Sequence, residues 1–426
     1  MKAAGPRAAR PLPLPPPPAP PTGLARSLRG ALAGNFALRF AGAATGILLT
    51  RYLASSNDTG RPIGAGVVAL LTAGFYATEL VGSPLLGAVG DRRGWRALLL
   101  LGPLLGALAL GLTAATTQLV VLHLARLLEG LSAAAAVPAI LGHLGETTDG
   151  DDALRGRALS VFEATTALGT LVGVAAAAGL WLVWGRGAFL VVAAIYLVAA
   201  GCFVPVRDAR ALRVTRPWRL SLAALRGQRR LIAFLPGWLG LGAITGLWFS
   251  HGLYQIQVRR PEGAGQLLAG SVAGDDALLF GILLVYALTF SLGALLWGYF
   301  GLRHGGEVAV MRIALAAMFG ICATLWALNH SGAGTALRAG LVALSLALLL
   351  VESGFAPAAV AYLARLSGQV ADERGLVMGL YSVVSGGGAL LGVAIGAPFA
   401  ERFALDGVLA ATVLLACGAL VALWHR

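Results

Sequence analysis

The stretch Gly87-Ala-Val-Gly-Asp-Arg-Arg-Gly-Trp-Arg96 is a tight knot of charge and glycine. It lies between two long apolar runs, IGAGVVALLTAGFYATELVGSPLL before it and ALLLLGPLLGALALGL after it. A water-soluble core seldom alternates so sharply. A chain that leaves a bilayer, turns at its surface and re-enters needs just such a short charged loop. That reading makes the two flanking runs membrane spans and sets the frame for the rest of the chain.

Composition agrees. Of 426 residues, 58% are hydrophobic and only 12% charged, where soluble domains carry about 25% charged residues. Mean hydropathy is +0.80. The formal charge of +13 can suggest nucleic acid, but the basic residues sit in short loops between apolar runs, where they orient a membrane protein. All but Lys2 are arginine. The three cysteines, Cys202, Cys322 and Cys417, lie inside apolar runs without CxxC spacing, which implies neither a disulfide framework nor a metal site. No Walker loop, catalytic triad order or cofactor fingerprint is present. The expectation is a non-enzyme with no cofactor and no nucleic-acid partner.

A spanning helix needs about 20 mostly apolar residues. About twelve such runs follow one another from residue 31 to residue 424, and none alternates with the period of a β-barrel strand. With the N-terminus inside, inner loops and tails hold about 23 basic residues and outer ones about seven. Both termini are therefore expected in the cytoplasm of a multi-pass inner-membrane protein. The predicted organisation is a Pro-rich basic tail (1–30), a six-helix bundle (31–206), a basic cytoplasmic linker (207–230) and a second six-helix bundle (231–426).

The halves repeat. RGRALSVFEATTALGTLVG from Arg155 matches RGLVMGLYSVVSGGGALLG from Arg374, an offset of 374 − 155 = 219. Gly169/Gly388, Gly173/Gly392 and Pro138/Pro357 share that offset. The opening knot returns as GYFGLRHG from Gly298, with Leu302 in place of Asp91. Two parallel copies point to a duplicated transporter fold with its substrate site near the midplane between the copies.

The knot resembles the loop signature of the major facilitator superfamily, Gly-x-x-x-Asp-Arg-x-Gly-basic-basic between the second and third helices. Gly87, Asp91, Arg92, Gly94 and Arg96 fit it, Gly90 adds a further small residue, and Trp95 departs from it. RLLEGLSAA from Arg126 resembles the family's Arg-x-x-Gln-Gly motif, with Glu129 where Gln is usual. The resemblance implies an all-α membrane protein of twelve transmembrane helices in two pseudo-symmetric six-helix bundles. It further implies that the loop cluster latches the halves together on the cytoplasmic side. A plain topology signal is the alternative, although that would not require Asp91.

Ionisable residues at bilayer depth are costly and usually functional. Arg39, Glu79, Arg126, Glu129, Glu163 and Glu352 lie inside apolar runs. Two readings stand. In one, Arg39, Glu79, Arg126, Glu129 and Glu163 take part in proton coupling, as the family's matching Arg does. In the other, Arg39–Glu79 and Arg126–Glu129 are fixed pairs that hold helices in register. Glu352 and Trp248 are candidates for the substrate cavity. Gly169-x-x-x-Gly173 resembles the family's antiporter motif without its Pro, and is equally a packing contact. Trp95, Trp181, Trp184 and Trp297 fit interfacial anchoring. The function expected is secondary transport of a small organic solute, proton-coupled and outward. The partners are substrate, protons and lipid, and the chain is expected to act as a monomer. Uptake or uniport, lipid translocation and a non-transporting scaffold are the alternatives.

Overall fold

The computed structural model describes residues 22–58, 63–148, 151–207, 229–259, 265–298, 306–332, 334–368 and 374–424. The linker, apart from Arg207, Arg229 and Arg230, and most of the second loop copy lie outside these residues. The described residues contain helices and turns and no strand.

The first half comprises α1 (Thr22–Asp58), α2 (Ala65–Arg93), α3 (Arg96–Ala115), α4 (Leu119–Thr147), α5 (Asp152–Trp184) and α6 (Ala188–Phe203). The second comprises α7 (Arg229–Leu247), a π-helical turn (Trp248–Gly252), α8 (Leu253–Gln257), α9 (Asp276–Leu296), α10 (Glu307–His330), α11 (Thr335–Glu352), α12 (Phe355–Gly368) and α13 (Arg374–Trp424). Because α1 begins at Thr22, residues 22–30, expected in the tail, form its first turns. Among the described residues, ten stretches are long and apolar enough to cross a bilayer. Two of them, Ala164–Phe203 with 40 residues and Val383–Trp424 with 42, are about twice the length one crossing needs.

Each of those two long stretches is broken near its middle, and the breaks match. Gly185 takes φ 50°, ψ −128° and Ala404 takes φ 54°, ψ −127°. Their separation, 404 − 185 = 219, is the offset of the sequence repeat. The helix crossings repeat as well. A methyl group on Gly169 would lie 2.5 Å from the Phe36 carbonyl oxygen, and one on Gly173 would lie 2.4 Å from that of Phe40. In the second half Gly388 meets the Leu239 carbonyl at 2.5 Å and Gly392 that of Ala243 at 1.8 Å in the same sense. The glycines of the antiporter-like motif therefore let α5 press against α1, and their counterparts let α13 press against α7.

The apolar clusters show how the halves meet. One cluster joins Leu48, Leu53 and Ala178 of the first half to Tyr254, Val272 and Leu279 of the second. A second places Ala65 among Leu247, Ala400 and Val408. Both lie at the end of the molecule far from the Gly87–Arg96 loop. At the loop's own end the clusters stay within one half. Trp95, Leu99, Ile140 and Phe203 form one, and Phe234, Met311, Tyr362 and Leu423 the other. Large apolar side chains meanwhile face outward, including Val183 at 74% and Leu288 at 60% exposure, as a lipid-facing surface requires.

Candidate functional site

The polar centre of the first half is built on α4. Its inner face runs Arg126, Glu129, Gly130, Ser132 and then small residues. Arg126 and Glu129, three residues apart and so on one helix face, form an ion pair with side chains only 8% and 2% exposed. Gly130 allows the approach that makes this possible, since a methyl there would lie 2.4 Å from the Phe75 carbonyl of α2. The Phe75 ring sits under the Arg126 guanidinium, 4.7 Å from its centroid, a cation–π contact that partly replaces water.

The pair is incompletely satisfied. Glu129 Oε1 and Arg126 Nε are buried without a hydrogen bond of good geometry, although Thr45 and Tyr196 stand beside the carboxylate. Buried polar atoms normally find partners, and Thr45 and Tyr196 are the neighbours placed to supply them to the carboxylate. Tyr76 lies within electrostatic reach of Glu79, Arg126 and Glu129. Glu79 in turn faces Arg39. Arg39 and Glu79 are half-buried, and they form no ion pair within bonding distance among the described residues. The fixed Arg39–Glu79 bridge is therefore not what holds α1 and α2 together. One turn before Arg39, the Asn35 amide bonds Thr165, Thr166 and the Phe162 carbonyl of α5 at 2.9–3.2 Å.

The remaining sequence candidates are scattered. The Glu163 side chain lies outside the described residues. Glu352 is in the other half, at the C-terminus of α11. Trp248 opens the π-helical turn and donates from Nε1 to Thr412 Oγ1 at 2.9 Å, which fixes the ring against α13. In the loop signature, Gly94 has φ 104° and ends α2, a conformation glycine adopts freely. Arg92 is exposed, Gly87 packs toward Pro138, and the Asp91 side chain lies outside the described residues.

Trp95 is not an interfacial anchor. Trp95 is 5% exposed. Its ring fills the cleft between Gly90 of α2 and Gly142 of α4, and Nε1 donates to Glu146 Oε1 at 2.9 Å. The departure from the family signature is thus a core contact. Trp297 donates to the Leu350 carbonyl at 3.0 Å and covers Gly354.

Sequence reasoning missed the residues that join the halves. Arg51 of α1 pairs with Asp276 at the start of α9, and the Trp181 ring lies 5.7 Å from its guanidinium. The Tyr254 hydroxyl donates to the Ile63 carbonyl. The only available signal was an Arg and an Asp at the edges of two apolar runs. Tyr76, Tyr196 and Asn35 carried none, being ordinary residues within apolar helices.

Comparison with known proteins gives a family-model match, described as Major Facilitator Superfamily, over residues 31–283. A chloramphenicol resistance protein from Streptomyces lividans is 34% identical over 190 residues, which cover 43% of this chain and 47% of that protein. The match thus spans about half the length of that relative. Among solved structures, the nucleoside transporter NupG and a point mutant of it superpose with TM-scores of 0.67 and 0.70. Each is 14% identical, over 93% of this chain and 98% of the other. At that identity the likeness concerns the fold.

Proposed function

The chain belongs to the Major Facilitator Superfamily, and from that premise we propose that it exports a small organic solute across the cytoplasmic membrane in exchange for protons. The observation that carries the reading is the Arg126–Glu129 pair, buried within the first half with Thr45 and Tyr196 beside its carboxylate. Protonation of the Glu129 carboxylate would leave the buried Arg126 guanidinium without its counter-charge, a cost that couples proton uptake to a rearrangement giving Arg126 a new partner. Tyr76, Tyr196 and Glu79 shape the field around it. Arg39 and Glu79 tune that field as facing charges rather than as a closed bridge.

Alternating access follows from how the halves meet. The apolar clusters that join the halves lie at the end far from the Gly87–Arg96 loop, and this reading has the cavity between them open on the loop side. The placement of basic residues puts that side in the cytoplasm, with both termini there and twelve crossings between them. Gly87, Gly90, Asp91, Arg92, Gly94 and Arg96 then act in the opposite state, when the cytoplasmic ends close. Outward direction is supported by the resistance protein among its relatives, and the chain works as a monomer. The test is accumulation of labelled chloramphenicol in cells making the protein. The reading expects lower accumulation than in control cells, abolished by a protonophore. Equal accumulation with and without the protonophore would remove proton coupling.

A further inference from the structure

The first turn of α2 has no cap of its own. Gly64 stands at the N-cap position with no side chain to offer, and no acidic residue follows in the first turn. The Val67 and Val68 N–H groups return to the Gly64 carbonyl at 3.1 and 3.4 Å. Ala65 and Gly66 therefore carry the donors for which a helix start provides no carbonyl. The helix dipole favours a negative charge at that place.

The second half supplies one. Glu401 of α13 holds Oε1 3.5 Å from the point that a methyl on Gly64 would occupy, and Oε2 3.9 Å from that of Gly66. Its carboxylate thus spans the uncapped turn from across the boundary between the halves. Its own helix gains nothing from it, because Glu401 lies three residues before the reversal at Ala404, and a negative charge near a helix C-terminus is disfavoured. Neighbouring contacts seat the two partners. The Tyr254 hydroxyl donates to the Ile63 carbonyl, Ala65 packs among Leu247, Ala400 and Val408, and the Ala400 carbonyl accepts from Gln255 Nε2 at 3.1 Å.

The repeat sets this arrangement apart from the shared fold. At the repeat offset, 401 − 219 = 182, the first half has Leu182 in place of Glu401. The start of α9, which opens the second span of its half as α2 does, is capped from within. Asp275 accepts there from the Leu278 N–H at 2.9 Å, and Asp276 follows in the first turn. One of the two equivalent helix starts carries its own carboxylate, and the other meets one only through the opposite half.

We propose that Glu401 caps α2 in trans and so latches the halves together at the end far from the Gly87–Arg96 loop. This role rests on the alternating-access reading and assigns one of its gating contacts. The test is the distance between spin labels on Leu119→Cys and Leu337→Cys, exposed positions at that end of α4 and α11. The full-length chain lacks Cys202, Cys322 and Cys417 and is reconstituted in nanodiscs without solute or proton gradient. Glu401→Gln is expected to raise the ratio of long-distance to short-distance molecules about two- to fivefold. The gap from the parent should narrow as salt rises, because an exposed charge is screened, a response that lost packing alone does not give. Gly64→Ser caps α2 in cis, so adding Glu401→Gln to it should shift the ratio less than in the parent. Equal distributions for the parent and Glu401→Gln, while Asp276→Asn shifts them, would overturn the latch and leave alternating access standing. Distributions that no variant shifts, Asp276→Asn included, would overturn both.

Discussion

Arg51 near the end of α1 and Asp276 at the start of α9 form an ion pair that ties one half of the molecule to the other. The Arg51 side chain is only 6% exposed, and Asp276 is 23% exposed. Removing one partner strands the other charge in a partly buried place, which costs more than the pair's net contribution. On the alternating-access reading the contact exists only while this end is closed, so its loss acts on the balance between conformations. Asp276→Asn is expected to favour the state open at this end by about 1–2 kcal/mol, about a five- to thirtyfold shift in population.

That shift is measurable at Ala65, which is 4% exposed within the apolar cluster joining the halves. In a chain lacking Cys202, Cys322 and Cys417, an Ala65→Cys thiol should react with a membrane-impermeant reagent faster once Asp276→Asn is added. The charge-swapped pair Arg51→Asp with Asp276→Arg should return part of the protection. Unchanged labelling in all three backgrounds would mean that the ion pair does not govern closure.

The matched chain reversals differ in residue. Gly185 adopts its positive φ without strain, while Ala404 holds φ 54° with a side chain attached. Such conformations cost about 1–3 kcal/mol in a residue other than glycine. Ala404→Gly should therefore raise the thermal midpoint in detergent, and Gly185→Ala should lower it. Opposite signs at two positions 219 residues apart, as 404 − 185 gives, are not expected unless both reversals exist.

Glycines in the repeat are not equivalent in what they can bear. Gly173→Ala and Gly392→Ala place a methyl 2.4 Å and 1.8 Å from a carbonyl oxygen of the facing helix. Overpacking of that kind costs about 1–3 kcal/mol, and the yield of folded protein should fall. Gly386→Ala meets no neighbouring atom within 4 Å and should be neutral or slightly stabilising. Comparable yields of all three variants would contradict the crossing geometry.

Trp95 should behave as a core residue. Trp95→Ala empties the cleft between Gly90 and Gly142 and is expected to cost about 3–5 kcal/mol. Trp95→Phe keeps most of the ring and loses the bond to Glu146, at about 1 kcal/mol. Trp95→Arg restores the residue type of the family signature, yet it should destabilise nearly as much as alanine, because the glycine-lined cleft is shaped for a flat ring. Thermal melts of the three variants test the order.

Much of this architecture was legible in the chain. Apolar runs separated by arginine-rich loops have few solutions other than membrane spans, and the loop at Gly87–Arg96 is specific enough to suggest a family. The repeat could be read because Gly and Pro report backbone constraints that survive divergence. The Gly169 and Gly173 spacing was readable as motif or packing, and which carbonyls the two glycines approach, those of Phe36 and Phe40, emerged only from the fold. The Arg126–Glu129 pair was accessible because three residues in a helix share a face. Tyr196 and Thr45 were not, since their position beside Glu129 depends on tertiary packing of separate helices. Trp95 was misplaced because a tryptophan beside a charged loop has the same sequence context whether it lies in headgroups or in a glycine cleft.

The measurement that bears most directly on the central claim is proton movement coupled to solute movement. The purified protein is reconstituted with a pH-sensitive dye inside the vesicles, and chloramphenicol is added across an imposed proton gradient. The account predicts a solute-dependent dye response in the wild-type protein. It predicts none in Glu129→Gln, a variant that removes the exchangeable proton while keeping shape. Solute movement without a dye response, or a full response from Glu129→Gln, would contradict it.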